Sequence, residues 1–268
     1  MENIILTSIQ NPLIKQVKKL HRAKERQKQN LLLLEGTNLI DAACQIDYKL
    51  DIIFHTDRWH ANHPSLCLKI ADKGIKLQPV SLEVLSAIAT TVNPDGVVAI
   101  APRRTKQEPD IAQTKLGIAL ERLQDPGNLG TIIRSAVGTG VDSLWLGSDS
   151  VDIHNPKVLR ASVGEWFRVP IATNQNLANV VSQHKQAGIQ IVATTSGAAK
   201  SYWDIDFTRP SLILLGNEGA GLSAELIALA DRQVKIPLDN GVESLNVAVA
   251  TALLLYEVKR QYRSLARI

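Results

Sequence analysis

The sequence predicts an α/β chain of two modules, the second and larger built on a parallel sheet. Three observations carry that reading. Short apolar runs alternate with stretches of helical period along almost the whole chain, the pattern of strands joined by crossover helices. The alternation breaks once, at 102–115, where two prolines and a run of charged residues read as a linker. Apolar residues make up 45% of the 268, enough for a core in each of two modest modules.

The first module spans 1–101. Asn11-Pro12 opens a helical pattern with Leu13, Ile14, Val17 and Leu20 on one face. A buried strand follows at 31–35. Helix is expected over 37–44, 66–73 and 82–89, and strand over 50–55, 75–80 and 96–101. The second module spans 116–268. Strands are expected at 116–123, 143–146, 169–172, 189–194, 212–216 and 234–236, and helices at 129–137, 156–163, 177–186, 224–230 and 245–262. Strand and helix alternate through short links, so this sheet should be parallel. Ligands of such sheets sit beyond the carboxyl ends of the strands.

Charge is concentrated at one end. Residues 1–30 hold Lys15, Lys18, Lys19, Arg22, Lys24, Arg26 and Lys28 against Glu2 and Glu25, while the whole chain is only +4. A local cationic strip suits a polyanion such as nucleic acid, and Lys15, Lys18, Lys19 and Arg22 are its expected contacts. A solvated helix face would look the same. Aromatics are only 4%, which argues against binding by rows of stacked rings. Cys44 and Cys67 do not make a disulfide framework. No signal-peptide pattern opens the chain, and the apolar stretch 245–256 is broken by Asn246 and too short to span a bilayer. The chain thus reads as soluble and cytoplasmic, with no membrane partner.

Three motifs lie at strand ends. The first, DPGNLGTIIRSA (125–136), runs through a Pro-Gly turn to Asn128, read as a helix N-cap. A capped turn leaves Arg134 unexplained, a cation among apolar helical neighbours. The second, LLGNEGAGLS (214–223), puts three glycines after an apolar strand, which permits close backbone approach to a ligand. Within it, Gly219 to Ala224 also fits the dinucleotide fingerprint, with Glu243 near the distance for a ribose-binding acid. That fingerprint ordinarily occupies the first βα turn of its fold, not the last quarter of a chain. The third, IPLDNGVESLNVAVA (236–250), leads from a strand through a polar loop to Ser244, read as another N-cap. Asn246 fits poorly inside an apolar helix.

In this order and spacing the motifs resemble the signatures of the SpoU (TrmH-like) RNA 2′-O-ribose methyltransferases of the SPOUT superfamily. The resemblance covers about 116–260, with Leu34-Glu35-Gly36 a further cue in the first module. It implies a catalytic domain with a deep trefoil knot and a smaller α/β/α RNA-binding domain before it. It also implies a homodimer, no metal, and S-adenosylmethionine as cofactor. The cofactor positions it implies are Thr194, Thr195, Leu215, Gly216, Asn217, Glu218, Ile236 and Leu245. The catalytic positions are Asn128, Arg134, Glu218, Ser244 and Asn246. Arg134 matches the family's motif arginine; as a permanent cation it suits phosphate anchoring and alkoxide stabilisation better than base action. Structured RNA is the implied substrate, ribosomal more than transfer RNA.

Two alternatives stand beside this. A non-catalytic RNA-binding or ribosome-assembly factor could share the scaffold, although it need not keep all five polar positions. A nicotinamide-dependent oxidoreductase would use the dinucleotide fingerprint. Other features read as structural. His55, His60, His63 and Cys67 fit no common zinc spacing. Trp59, Trp145, Trp166 and Trp203 read as packing residues, and Asp152-Ile153-His154 as a polar loop.

Overall fold

A computed structural model describes residues 4–103 and 108–265; positions 1–3 of the first module, 104–107 of the linker and 266–268 of the second module lie outside the described residues. The chain runs α1 (Pro12–Lys19), α2 (Ala23–Gln29), β1 (Leu31–Glu35), α3 (Thr37–Gln45), β2 (Ile52–His55), α4 (Asp57–Asn62), α5 (Pro64–Asp72), β3 (Lys76–Pro79), α6 (Leu82–Ile88) and β4 (Val97–Pro102). It continues β5 (Leu116–Leu120), α7 (Pro126–Thr139), β6 (Ser143–Gly147), α8 (Pro156–Ala161), β7 (Ile171–Asn174), α9 (Leu177–Gln186), β8 (Gln190–Thr194), β9 (Lys200–Ser201), β10 (Ser211–Leu215), α10 (Ala224–Leu229), β11 (Arg232–Lys235) and α11 (Val247–Leu265).

The contacts divide the chain into one unit of residues 1–105 with 152–167, and a second of 106–151 with 168–268. The sequence places 152–167 in the second module; its contacts group it with the first. The physical reasons are ion pairing and ring packing. Arg160 on α8 donates to the buried carboxylate of Glu35 at 2.8 Å. Arg26 Nη2 meets Asp152 at 2.5 Å, and Trp166 and Phe167 pack their rings on Tyr48.

In the first unit the sheet order is β1-β4-β2-β3, antiparallel except for the β2–β3 pair. The amphipathic α1 lays Ile14 and Val17 into a core with Leu33, Phe54, Val84, Leu85 and Ile88. Asn11 caps α1 by accepting from Leu13 N. The helical pattern after Asn11 is two helices rather than one, with the turn at Leu20–Arg22 between them. The sequence reading also passed over α4, which Thr56 caps through Trp59 N.

The second unit holds a seven-stranded parallel sheet in the order β7-β6-β5-β10-β8-β11-β9. β5, β6 and β10 are buried along their whole length, as expected of strands covered on both faces. On one face, α9 sets Val180 and Val181 against Ile191, Leu212 and Leu214. Since the strands are parallel, the loops leaving β5, β8, β10 and β11 all open at one edge.

Candidate functional site

At that edge the chain leaving β8, β10 and β11, with the start of α11, encloses a hollow of about 420 Å³, within the range of small-molecule sites. Leu215, Val234, Ile236 and Leu254 supply apolar wall, and Thr194, Thr195 and Ser244 polar wall. Leu222 and Ala250 also line it. Every expected cofactor position faces this one hollow: Thr194, Thr195, Leu215, Gly216, Asn217, Glu218, Ile236 and Leu245.

The glycine loop is stiffened from within. Asn217 N donates to Gly221 O at 3.1 Å and Gly221 N returns to Asn217 O at 2.9 Å. Asn217 Oδ1 accepts from Gly219 N and Ala220 N, both at 2.9 Å. Those two amides are therefore occupied within the loop itself. A Cβ on Gly216 would lie 2.1 Å from the Gly221 carbonyl carbon, so only glycine fits there.

Three side chains tie the three motifs together. Asn246 Nδ2 donates to Asn128 Oδ1 at 2.9 Å, and Asn128 Nδ2 donates to Glu218 Oε1 at 3.1 Å. Glu218 also accepts from Gln124 N at 3.4 Å and Asp125 N at 3.3 Å. Burial pushes the Glu218 carboxyl up, but its backbone contacts and the Asn128 amide outweigh that and hold it below the usual carboxylate range.

Both expected N-caps are corrected. α7 starts at Pro126 and is capped by Asp125, which accepts from Asn128 N at 2.9 Å. Asn128 lies inside the first turn, which frees its amide to reach Glu218 and Asn246. α11 starts at Val247, and Asn246 Oδ1 accepts from Ala248 N at 2.9 Å. Asn246 is thus the residue that ends the polar loop, and Ser244 stays exposed on the wall of the hollow.

Arg134 stands apart. It is exposed on α7, does not line the hollow, and its side chain makes no hydrogen bond or ion pair among the described residues. It lies one turn beyond Thr131, which with Ser135 borders a second, apolar hollow of about 310 Å³. Val249, Leu253 and Tyr256 of α11 form its other wall.

Sequence reasoning missed the residues behind the glycine loop. Glu121 Oε2 accepts from Ser223 N at 2.7 Å, and Arg122 O accepts from Asn217 Nδ2 at 2.8 Å. Nothing in their local pattern marks them. Ala250 and Leu254 could have been found, since they follow Asn246 at helical spacing.

In the first unit Lys15, Lys18, Lys19 and Arg22 are exposed. Arg26, counted in the same strip, is 2% exposed and donates to Leu20 O and His21 O as well as to Asp152. Asp152 is therefore an ion-pair partner rather than part of a plain polar loop. Trp59, Trp145 and Trp166 are buried, but Trp203 is 60% exposed, contrary to its reading as a packing residue. Among the described residues no group of three or more His, Cys, Asp or Glu could hold a metal. Nor is any described helix long and apolar enough to cross a membrane.

Residues 115–256 match the model of the SpoU rRNA Methylase family, a span that holds all three motifs. The chain belongs to this family. Residues 11–99 match the MRM3-like substrate binding domain. Among SpoU relatives, an uncharacterized tRNA/rRNA methyltransferase of Synechocystis is 43% identical over 96% of this chain and 93% of its own. The 23S rRNA (guanosine(2553)-2′-O)-methyltransferase RlmP of Bacillus subtilis is 33% identical over 95% of this chain and 98% of its own. An AdoMet-bound rRNA methyltransferase structure from Sinorhizobium meliloti superposes with TM-score 0.82 at 30% identity, covering 96% of this chain and 97% of that one.

Proposed function

We propose that this SpoU-family chain methylates a ribose 2′-hydroxyl of structured RNA, ribosomal in preference to transfer RNA, with S-adenosylmethionine as donor, in the cytoplasm. One observation carries the reading: Asn128, Glu218 and Asn246, one from each motif, form a hydrogen-bonded chain beside a hollow lined by all eight cofactor positions. The hollow suits the cofactor, with apolar wall for a purine and sugar and exposed polar groups at its rim. When bound, the cofactor supplies an activated methyl group, so the protein contributes alignment and proton management.

The chain's own groups divide that work. Gly216, Leu215, Ile236 and Leu245 hold the donor through backbone and apolar contact. The Asn246–Asn128–Glu218 chain fixes the polar wall on which Ser244 stands, and these groups orient the ribose. Arg134 grips an RNA phosphate and stabilises charge developing on the ribose O2′ as its proton leaves. Lys15, Lys18, Lys19 and Arg22 take the phosphate backbone. Residues 1–101 then form the RNA-holding domain, 102–115 the linker and 116–268 the catalytic domain, with 152–167 lent to the first unit.

Two architectural features belong to the proposal. The strand order supports a deep trefoil knot: β10 enters between β5 and β8, and the chain past β11 returns as α11 along α7. The apolar hollow between α7 and α11, with Val249 50% and Tyr256 59% exposed, supports a homodimer through this face. Arg134 borders that face, so a second copy would bring it toward a neighbouring hollow.

The test is methyl transfer from labelled S-adenosylmethionine to ribosomal RNA. Arg134→Ala should abolish turnover and leave S-adenosylmethionine affinity in equilibrium dialysis nearly intact. Retained turnover would remove Arg134 from the mechanism, and binding of NAD instead would overturn the reading.

A further inference from the structure

We infer that the loop between α6 and β4 is a rigid wedge whose apolar tip, Val92, docks against an unpaired base of the RNA held by the α1–α2 cations. The inference rests on the RNA-substrate reading above and adds a contact of a different chemistry to it.

The loop is pinned at both ends. At its start, Thr90 donates through N and Oγ1 to Glu35 Oε2 at 2.8 and 2.7 Å. Thr91 donates through N to Glu35 Oε1 at 3.1 Å, and its hydroxyl reaches the same oxygen. Glu35 is 3% exposed, and Arg160 closes the cluster by donating to both Glu35 Oε2 and Thr90 Oγ1. At the loop's end, Asp95 Oδ2 accepts from Thr37 N at 2.7 Å and Thr37 Oγ1 at 2.8 Å. Gly96 O accepts from Thr56 N at 3.0 Å. Gly96 itself turns at φ +108, with a Cβ position 2.9 Å from both Thr56 Oγ1 and Trp59 Cβ, so no side chain is accommodated there.

Between these anchors Val92 is 94% exposed and Asn93 is exposed. A single exposed valine is ordinary on a protein surface. A loose loop, however, would fold such a side chain back, because covering it is worth roughly 1.5 kcal/mol or more. Here a buried, fully partnered carboxylate holds the root so that it cannot. The tip is held out, already ordered, and contact with it costs little further entropy.

The tip's position names its partner. His21 Nε2 lies 2.8 Å from the carbonyl oxygen of Ile88, the last residue of α6, so the turn between α1 and α2 touches the chain just before the loop. The exposed Lys18, Lys19 and Arg22 lie within three residues of that contact. The loop's own acid, Asp95, is turned to Thr37. A cationic strip beside a rigid apolar tip fits a nucleic acid that offers phosphates and a free ring face together. Paired RNA hides its base faces in the stack, while loops and bulges present them. Apolar wedges against bases are an established mode of contact.

The experiment uses the full chain and two hairpin RNAs, identical except that one carries a bulge of unpaired nucleotides, with anisotropy read over a salt series. Val92→Ser should weaken the bulged hairpin about tenfold at every salt concentration, leave the salt slope unchanged, and leave the paired hairpin unaffected. Val92→Phe should tighten the bulged hairpin. Lys18→Ala with Lys19→Ala should weaken both hairpins and flatten the slope. Unchanged binding of the bulged hairpin by Val92→Ser overturns the wedge, while the methylation reading still stands or falls on Arg134→Ala. Equal loss on both hairpins overturns base recognition. Methylation lost only in intact ribosomal particles would make the tip's partner a protein and equally overturn it.

Discussion

Each unit uses one carboxylate to gather a loop from far along the chain, and the two do so at opposite depths. Glu35 is 3% exposed, has a guanidinium beside it, and takes every donor that Thr90 and Thr91 offer. Glu218 is exposed, and among the described residues no cation pairs with it. Its contacts are longer, from 3.1 Å with Asn128 to 3.4 Å with Gln124. A buried charge has to be matched completely to be tolerated at all. An exposed one can trade partners with an incoming molecule at small cost. The difference separates a clamp that fixes shape from a group that serves a site, although both are glutamates that collect backbone amides.

The largest expected effect breaks the deeper of the two. Glu35→Ala leaves Arg160 without its anion and strands the hydroxyls and amides of Thr90 and Thr91. Removing one partner of a buried pair costs about 3–5 kcal/mol, readable in urea unfolding of the first unit's signal. A loss below about 1 kcal/mol, the range of exposed pairs, would show that the cluster is not truly desolvated. The comparison would also dissolve if Glu218→Ala destabilised the protein equally.

Next comes Glu218→Gln, which keeps the shape and removes the charge. Stability should stay within about 0.5 kcal/mol, as for other surface changes. Turnover should fall roughly tenfold or more, as when an aligned polar contact near the reacting groups is lost. Parallel loss of stability and turnover would make Glu218 a second structural clamp.

Much of this contrast was legible in the sequence, and the rest had physical reasons to stay hidden. Strands buried on both faces read as apolar runs, so β5, β6 and β10 stood out. The hollow was legible because its walls are loops at the carboxyl ends of β8, β10 and β11, where motifs of special residues must lie. The grouping of 152–167 with the first unit was not, because Arg160 finds Glu35 across 125 positions of sequence. Arg26 looked like its neighbours on α2 and is buried, since a cation's partner cannot be read from the cation. Ser244 and Asn246 are both good caps, and only the true start of α11 decides between them. Arg134 was legible as unusual, but its place beside an exposed apolar face depends on how α7 and α11 pack.

A smaller effect should appear with pH. Both carboxyls lie below the usual range: burial raises each, and hydrogen bonds, with Arg160 added at Glu35, outweigh it. A folded-state pKa below the unfolded value, about 4.3 for glutamate, contributes stability that is fully present above that value. It is lost as pH falls through 4.3 toward the folded pKa. Unfolding free energy should therefore be level near neutrality and decline on acidification. Glu35→Gln and Glu218→Gln should each flatten that acid limb, since each removes a carboxyl that the folded state lowers. An unchanged acid limb in either variant would show that its carboxyl is not lowered by folding.

The smallest effect tests the clamp one bond at a time. Thr91→Ser keeps the hydroxyl that meets Glu35, whereas Thr91→Val keeps the shape and removes it. The serine variant should match the native protein within a few tenths of a kcal/mol, and the valine variant should lose about 1–3 kcal/mol, the cost of a buried charge deprived of a donor. If Val92 is the working tip of the loop, the valine variant should also weaken binding of the bulged hairpin, since it loosens the root without touching the tip. A stability loss with full RNA affinity would show that the anchor serves the fold of the first unit alone, and that the exposure of Val92 is incidental to it.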